Sequence, residues 1–367
     1  MSIAFYNEIT SNRTRFVRVD DVVRAAIAAG RLPDPAADDG VMLRDKKKLE
    51  HPQGAFLAEI LADPECGTHL CHAMLLPRPD SAALLAEFAK KGEISLPGAH
   101  LKRHGKAAVV TMANPKYLNA EDEGSLPGLE AAVDVALLDP QSEVCVLRGG
   151  TVTHTKYAGR RLFGAGINLT LLYEGRIRYL WYLIRDLGLV NKFYRGLARP
   201  DASPEVSSVE KLWVAAVEGF AIGGHCQILL TMDYTIAAAD AYLTLPARKE
   251  GIIPGAANLR MPRFVGDRIT RQAIMNERRI DCDSDAGRMI CDEIVPPAEM
   301  DAAIGRMVDR LTSSGVVSAA GNRRAIRSVQ EPLDSFRRYM AVYAREQAHC
   351  QFSPALVSNL EKNWKQR

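Results

Sequence analysis

The chain has 367 residues, 47% hydrophobic and 25% charged, which is enough for about two domains with a large core and excludes intrinsic disorder. Lys and Arg total 47 against 44 for Asp and Glu, a balance that excludes a nucleic-acid binder relying on concentrated positive charge. No apolar run is long enough for a membrane span, and residues 1–8 do not resemble a secretion signal. Seven scattered cysteines are typical of reduced thiols, so we expect a soluble cytoplasmic protein with no nucleic-acid or membrane partner.

The first 105 residues are predicted to form a mostly helical amino-terminal domain. Apolar residues recur at helical spacing in 22–29, 56–61 and 82–88. Between the first two of these segments, residues 33–40 are rich in Pro, Asp and Gly, which indicates a turn or linker.

From residue 106 the pattern changes to short β-branched runs that alternate with helical segments. Strands are predicted at 107–112, 144–147, 213–217 and 234–239, with a helix at 128–138. This alternation predicts an α/β core over residues 106–265 with crossover connections. From residue 267 onward the pattern is helical again, so we predict a helical carboxy-terminal region over 266–367.

Two glycine-rich segments lie where a strand pattern gives way to a helical one. The first is Phe163-Gly-Ala-Gly166 and the second is Gly223-Gly224, about 57 residues later. Small residues let the backbone approach a ligand closely, and two backbone N–H groups that converge from separate loops form an oxyanion hole. Each loop alone is weak evidence, because most glycine-rich loops are only turns, but the ordered pair predicts a site that binds a developing oxyanion.

These loops and several flanking motifs resemble the crotonase, or enoyl-CoA hydratase/isomerase, superfamily. The further matching segments are 113–115, 118–120, 144–149, Asp233, 245–246, 251–255, 285–286 and 291–296. The resemblance implies an α/β fold with a ββα spiral core and helical additions at both ends. It also implies a coenzyme A thioester substrate, held by loops that include Gly166 and Gly223, and an oxyanion hole made by the N–H groups of Ile167 and Gly224. Superfamily members are usually trimers or dimers of trimers, so we expect a homo-oligomer with residues 266–367 as the trimerisation region.

The sequence departs from the hydratases at the two positions that carry their catalytic glutamates. Gln227 and Ala247 occupy those positions here. Gln does not take a proton at neutral pH and Ala has no acid-base group, so hydratase activity is not expected.

Together with the long insertion 150–161, these changes resemble one branch of the superfamily, the cofactor-independent dioxygenases of vancomycin-type glycopeptide-antibiotic biosynthesis. The resemblance implies oxidation of 3,5-dihydroxyphenylacetyl-CoA by O2 to 3,5-dihydroxyphenylglyoxylate and CoA, with no metal and no organic cofactor. It implies that Glu121, Arg185 and Gln227 hold the ring hydroxyls. A dry oxygen pocket is needed as well, which we assign to Ile167, Ala247 and Ile252, with Ile253 beside them.

Several of these residues also have a purely structural interpretation. Glu121 begins an acidic run that is typical of a helix start, and Arg185 falls on a polar stripe at helical spacing. His154 is a candidate substrate contact, although most loop histidines are simply exposed. His225 replaces the usual small residue of its turn and either contacts substrate or packs behind it.

The group Cys66, His69, Cys71 and His72 lacks a standard zinc spacing, so buried thiols on an amphipathic helix are the preferred interpretation.

Two alternative functions remain open on the sequence. One is a thioester isomerase or hydrolase of the same fold that uses Glu250 or His154 as its acid-base group. The other is a non-catalytic CoA-ester-binding protein, because loss of both family glutamates is expected there too. The base that would remove the α-proton in the oxygenase is not identified by the sequence.

Overall fold

The structure is a computed structural model that describes residues 1–314 and 318–363, so residues 315–317 and 364–367 of the predicted carboxy-terminal region lie outside the described residues. Within those described ranges, none of the helices combines the length and apolar character needed to cross a membrane.

Helices surround a central sheet. The α-helices of the described ranges are α1 (Ser2–Ile9), α2 (Val19–Ala28), α3 (His51–Ala62), α4 (Pro64–Leu75), α5 (Ser81–Lys91), α6 (Leu126–Leu138), α7 (Leu169–Tyr173), α8 (Tyr179–Ile184), α9 (Asn191–Arg195), α10 (Gly224–Leu229), α11 (Ala247–Glu250), α12 (Ala257–Asn276), α13 (Met300–Thr312), α14 (Ala319–Gln330), α15 (Leu333–Gln351) and α16 (Pro354–Asn363). A π-helical segment, Arg185–Val190, joins α8 to α9.

The strands are β1 (Glu93–Leu96), β2 (Gly98–His104), β3 (Ala107–Ala113), β4 (Val144–Gly149), β5 (Leu197–Ala198), β6 (Ser208–Val209), β7 (Leu212–Val217), β8 (Phe220–Ile222), β9 (Tyr234–Ala238), β10 (Tyr242–Thr244), β11 (Ile280–Asp281) and β12 (Glu293–Val295). Seven of them form one sheet in the order β1-β2-β3-β4-β7-β9-β12. Within this sheet, β3, β4, β7, β9 and β12 pair in parallel. At one end, β1 pairs with β2 and β2 pairs with β3 in antiparallel orientation. A smaller sheet has the order β11-β10-β8.

The parallel strands carry the core, as the β-branched runs predict. Val146 of β4 lies between Val109 of β3 and Val214 of β7 in the sheet register. Five of the six residues of β4, and five of the six of β7, are buried, which is typical of parallel strands covered on both faces. The predicted α/β core with crossover helices is therefore present.

Both flanking regions contain strands that the sequence analysis placed in helical segments. The amino-terminal helices end at Lys91, and β1 and β2 then join the main sheet, so the expectation of helix up to residue 105 is wrong for 93–104. β2 alternates buried positions with more exposed polar ones, a weaker signal than the continuous apolar runs of buried strands. Past residue 267, β11 and β12 interrupt the helices, and each has only two or three residues. The domain boundaries themselves stay a prediction.

The terminal regions pack on each other and on the core. α15 runs along α3 so closely that a Cβ added to Gly54 would lie 2.4 Å from Cβ of Ala348. α4 also packs on α15 and buries Cys66 and Cys71, as the amphipathic-helix interpretation predicts. In the described ranges no group of three or more His, Cys, Asp or Glu is arranged to hold a metal ion.

Candidate active site

The first glycine loop is held on both sides by backbone pairing. Gly164 pairs with Ala221 of β8, and the segment at Ile167 pairs with the segment at Glu121. The N–H of Glu121 donates to the carbonyl of Gly166 at 2.7 Å, and Asn168 donates to the carbonyl of Glu121 at 2.8 Å. The pairing leaves the N–H of Ile167 without a hydrogen-bond partner in the described chain, and it places Glu121 beside the loop.

The second glycine loop links β8 to α10 and touches the first. Gly223 has φ 55° and Gly166 has φ 78°, a left-handed conformation that favours glycine at both positions. A Cβ on Gly166 would lie 3.1 Å from the backbone N of Gly224. Among the described residues nothing accepts a hydrogen bond from the N–H of Gly224, which is the first residue of its helix. The two free N–H groups, those of Ile167 and Gly224, both lie along one cavity.

His225, on the second loop, is hydrogen-bonded to the first loop. Its Nδ1 accepts a hydrogen bond from the N–H of Gly166 at 2.8 Å, and its ring is completely buried. A Cβ on Gly164 would lie 2.4 Å from this ring, so the first loop needs glycine there. Burial lowers the pKa of His225 to about 4, and the imidazole is therefore neutral near pH 7. The sequence left open whether His225 contacts substrate or packs behind its turn. The structure supports the second interpretation, because the ring is buried behind the two loops.

Arg185 is the centre of the buried polar network beside these loops. Nε and Nη2 donate to the two carboxylate oxygens of Glu121 at 2.9 and 2.7 Å, and Nη2 also donates to the carbonyl of Gly224 at 2.9 Å. Nη1 donates to Gln227 Oε1 at 2.5 Å and to Asp186 Oδ1 at 3.2 Å. All five donors of the guanidinium are used. Burial opposes the charge, but the carboxylates of Glu121 and Asp186 raise the pKa of Arg185.

Gln227 completes the network from α10. Its Nε2 donates to Asp186 Oδ1 at 2.6 Å, while its Oε1 accepts from Arg185. Gly255 lies against it so closely that a Cβ there would be 2.1 Å from Nε2. Burial raises the pKa of Asp186, and the charge of Arg185 and the hydrogen bond from Gln227 oppose that shift. The predicted trio of Glu121, Arg185 and Gln227 is thus one hydrogen-bonded unit; its role toward a substrate stays a prediction.

The cavity beside the two free N–H groups has a volume of about 30 Å³, room for a water-sized or diatomic molecule. Its wall includes the three residues predicted as an oxygen pocket, Ile167, Ala247 and Ile252, together with Ile253. It is not wholly apolar, because Arg185, Asp186 and Gln227 line one side of it. The residues that the sequence assigned to an oxygen pocket therefore do line one cavity. Their use as an oxygen pocket stays a prediction.

Glu250 also lines this cavity. It is the last residue of α11, it is only 4% exposed, and a Cβ added to Gly223 would lie 3.9 Å from its Oε2. Burial raises the pKa of Glu250 to about 8.

His154 lies away from the residues that line the cavity. It is exposed on the loop after β4, where its ring lies 6.3 Å from that of Tyr157, and it does not line the cavity. Its predicted substrate contact stays a prediction.

Sequence reasoning missed four residues that line the cavity. Asp186 follows Arg185 directly, yet a helical pattern would place neighbouring residues on different sides. The π-helical turn changes that spacing, and π-turns are common at functional sites. Trp181 and Tyr182 line the cavity from α8, and the sequence analysis assigns no role to either. Tyr343 comes from α15, 158 positions after Arg185 in the chain, so no local pattern signals its presence in the cavity.

The family model described as "Enoyl-CoA hydratase/isomerase" matches residues 102–352, which is more than half of the chain. The chain belongs to the enoyl-CoA hydratase/isomerase family. The matched segment includes both glycine loops and every residue of the Arg185 network.

Two curated relatives illustrate the range of this family. The chain is 45% identical over 349 residues to "(3,5-dihydroxyphenyl)acetyl-CoA 1,2-dioxygenase" of Amycolatopsis orientalis, an alignment that covers 94% of this chain and 80% of that protein. It is 28% identical over 238 residues to "Short-chain-enoyl-CoA hydratase" of Clostridium acetobutylicum, with 64% and 83% covered.

Solved structures confirm the predicted crotonase fold. An enoyl-CoA hydratase from Bacillus halodurans superposes with a TM-score of 0.60 at 18% identity, and the match covers 72% of this chain and 99% of that one. An enoyl-CoA hydratase from Mycobacterium avium subsp. paratuberculosis also gives 0.60, at 21% identity, with 74% and 98% covered.

Proposed function

We propose that this protein is a dioxygenase that converts (3,5-dihydroxyphenyl)acetyl-CoA and O2 to 3,5-dihydroxyphenylglyoxylate and CoA. The observation that carries the proposal is the 45% identity, over 94% of the chain, to a relative with that named activity. The reaction balances without a further reactant. The α-CH2 is oxidised to a ketone, O2 is reduced by four electrons, and its two atoms end in the ketone and in the new carboxylate.

The two free backbone N–H groups bind the thioester oxygen. Those of Ile167 and Gly224 lie along the cavity and have no competing acceptor in the described ranges. As a proton leaves the α-carbon, negative charge develops on that oxygen, and fixed donors stabilise it more than they stabilise the neutral thioester. One such donor contributes about 3–4 kcal/mol to lowering a barrier.

The polar network holds the aromatic ring. Glu121 offers carboxylate acceptors and Gln227 offers an amide, both oriented by Arg185, and phenolic hydroxyls both donate and accept. A site built around buried polar groups discriminates strongly against an analogue that leaves them unpaired. We therefore expect phenylacetyl-CoA, which lacks the hydroxyls, to be a far poorer substrate.

Oxygen bound in the cavity reacts with the adjacent electron-rich enolate. Ile167, Ala247 and Ile252 provide an apolar wall, and the volume accommodates a diatomic molecule. The peroxide formed at the α-carbon then attacks the thioester carbon of the same molecule, where the effective concentration is high. This attack expels CoA.

The proposal also covers the cofactors, the location and the assembly of the enzyme. The enzyme uses neither a metal nor an organic cofactor, since an aryl enolate is itself a one-electron reductant of O2. It acts in the cytoplasm, where the seven cysteines remain as thiols. It assembles as a trimer or a dimer of trimers, with the carboxy-terminal region in the interface.

The decisive experiment measures O2 uptake and thiol release together. Metal-stripped protein in EDTA is given (3,5-dihydroxyphenyl)acetyl-CoA, and we expect one O2 consumed for each CoA released. Release of CoA without O2 uptake would identify a thioester hydrolase instead. Tight binding without either signal would identify a CoA-ester-binding protein.

A further inference from the structure

The proposed reaction needs a group that accepts a proton from the α-carbon, and the carboxylates near the cavity differ in their freedom to do so. Glu121 is held by two hydrogen bonds from Arg185, and Asp186 accepts from Arg185 and from Gln227. The carboxylate of Glu250 faces the same cavity and makes no hydrogen bond or ion pair within residues 1–314 and 318–363.

The position of Glu250 on α11 relates it to the missing acid of the hydratases. Ala247 takes the place of the second hydratase glutamate, and Glu250 follows three residues later in the same short helix. Residues three apart lie on the same helical face, and both of these line the cavity. The carboxylate is therefore about one turn further along the helix, and position 247 itself remains apolar.

Glu250 also lies close to the oxyanion loops. Its Oε2 is 3.9 Å from the position of a Cβ on Gly223, the residue just before the free N–H of Gly224. A thioester whose oxygen accepts hydrogen bonds from Ile167 and Gly224 has its α-carbon two bonds from that oxygen. The α-carbon is then near the carboxylate.

We propose that Glu250 is the catalytic base that accepts the α-proton of the arylacetyl thioester, an inference that rests on the proposed function. The Cα–H bond breaks, its electron pair enters the thioester to form the enolate, and the proton passes to a carboxylate oxygen of Glu250. The enolate reduces O2 to a peroxide bonded to the α-carbon, and the peroxide displaces CoA thiolate. Glu250 gives its proton to that thiolate and is again a base.

The same carboxylate serves the last step. After CoA has left, the O–O bond breaks while the second α-hydrogen departs as a proton. Its electron pair forms the ketone C=O, and the distal oxygen remains in the product carboxylate. Glu250 accepts this second proton and releases it to solvent, so one base beside the α-carbon accounts for both C–H cleavages.

The electrostatic surroundings suit this role. Burial raises the pKa of Glu250 to about 8, Lys249 lowers it and Glu277 raises it. The other charged or titratable groups that face the same space are Tyr182, Arg185, Asp186 and Tyr343, and α16 contributes Leu356 and Asn359 beside Gly251. A carboxylate with a pKa near the working pH is a stronger base than an ordinary one, and it gives its proton back readily.

The test compares Glu250→Gln and Glu250→Asp with Glu299→Gln, which removes an exposed carboxylate that does not line the cavity. O2 uptake is measured with (3,5-dihydroxyphenyl)acetyl-CoA and with its α,α-dideuterated form, and melting temperatures establish that each variant is folded. For Glu250→Gln we expect kcat to fall about 100-fold or more with KM within about threefold. For Glu250→Asp we expect a smaller fall and a larger deuterium isotope effect than in the wild type. Glu299→Gln should match the wild type.

The role of Glu250 is overturned if Glu250→Gln keeps a kcat within about threefold of Glu299→Gln, or if its loss is confined to KM. If Glu250→Gln does not fold, Glu250→Asp decides: an unchanged kcat and isotope effect overturn the role, and a slower, more isotope-sensitive reaction supports it. A wild-type enzyme that consumes no O2 is a different result, because it refutes the proposed function itself.

Discussion

The backbone N–H of Gly166 donates a 2.8 Å hydrogen bond to Nδ1 of His225, and this bond joins the two loops that carry the free N–H groups. Because Nδ1 accepts, the imidazole proton is on Nε2. The neighbouring residues Ile167 and Gly224 then have a fixed separation. His225 is thus a positioning residue whose ring need not touch the substrate.

The first prediction concerns this bond. His225→Leu removes the acceptor, and we expect kcat to fall by about tenfold or more because the two N–H groups lose their relative position. His225→Asn, whose side-chain oxygen can replace Nδ1, should recover part of the loss. Steady-state O2 uptake measures both, with His104→Ala at the exposed end of β2 as the control. Equal activity of the Leu and Asn variants would show that the acceptor is unimportant.

The second prediction isolates one oxyanion donor. Gly224→Pro removes the N–H, but any side chain at 224 also meets Arg185 Nη2 and Glu121 Oε2, which lie 2.8 and 2.9 Å from an added Cβ. Gly224→Ala is therefore the matched control, because it adds the Cβ and keeps the N–H. We expect turnover of the Pro variant to be about 100-fold below that of the Ala variant. Similar rates for the two would exclude this N–H from catalysis.

The third prediction concerns charge in the buried network. Gln227→Glu replaces the Nε2 donor, 2.6 Å from Asp186, with a carboxylate oxygen, so two carboxylates meet out of water. Each raises the pKa of the other above its unfolded value. The folded state then binds more protons than the unfolded state, and the free energy of unfolding falls as pH rises above about 4.

Urea unfolding between pH 5 and pH 8 tests this. We expect Gln227→Glu to lose about 2–4 kcal/mol relative to wild type at pH 8 and clearly less at pH 5. Gln227→Met removes the same hydrogen bonds without adding charge, so its deficit should change less with pH than that of the Glu variant. A pH-independent deficit for the Glu variant would contradict the argument.

The fourth prediction tests the oxygen pocket. Ala247→Val adds two methyl groups to a cavity of about 30 Å³, so we expect the KM for O2 to rise several-fold while the KM for the thioester stays near its wild-type value. Ile252→Val removes one carbon from the same wall, which enlarges the cavity, and it should not raise the KM for O2. Initial rates at varied O2 measure both. A change confined to the thioester KM would assign this wall to the acyl group.

The sequence by itself determined the parts that depend on local pattern. β3, β4, β7 and β9 follow from short β-branched runs, and the two glycine loops follow from strand-to-helix changes. It also identified Glu121, Arg185 and Gln227 as one group, through the resemblance to the crotonase superfamily. The sequence analysis did not predict β1 and β2, because a pair of strands at the end of a sheet with one polar face lacks a continuous apolar run.

Only the tertiary structure decided which side chains meet in the cavity wall and in the polar network beside it. Glu121 and Arg185 are 64 positions apart and Tyr343 is a further 158 positions on, so their proximity depends on how α8, the π-helical turn and α15 pack. The raised pKa of Glu250 likewise needs complete burial, which neighbouring segments supply. Local pattern fixes which elements form, whereas burial and charge at a site are sums over contacts between distant segments.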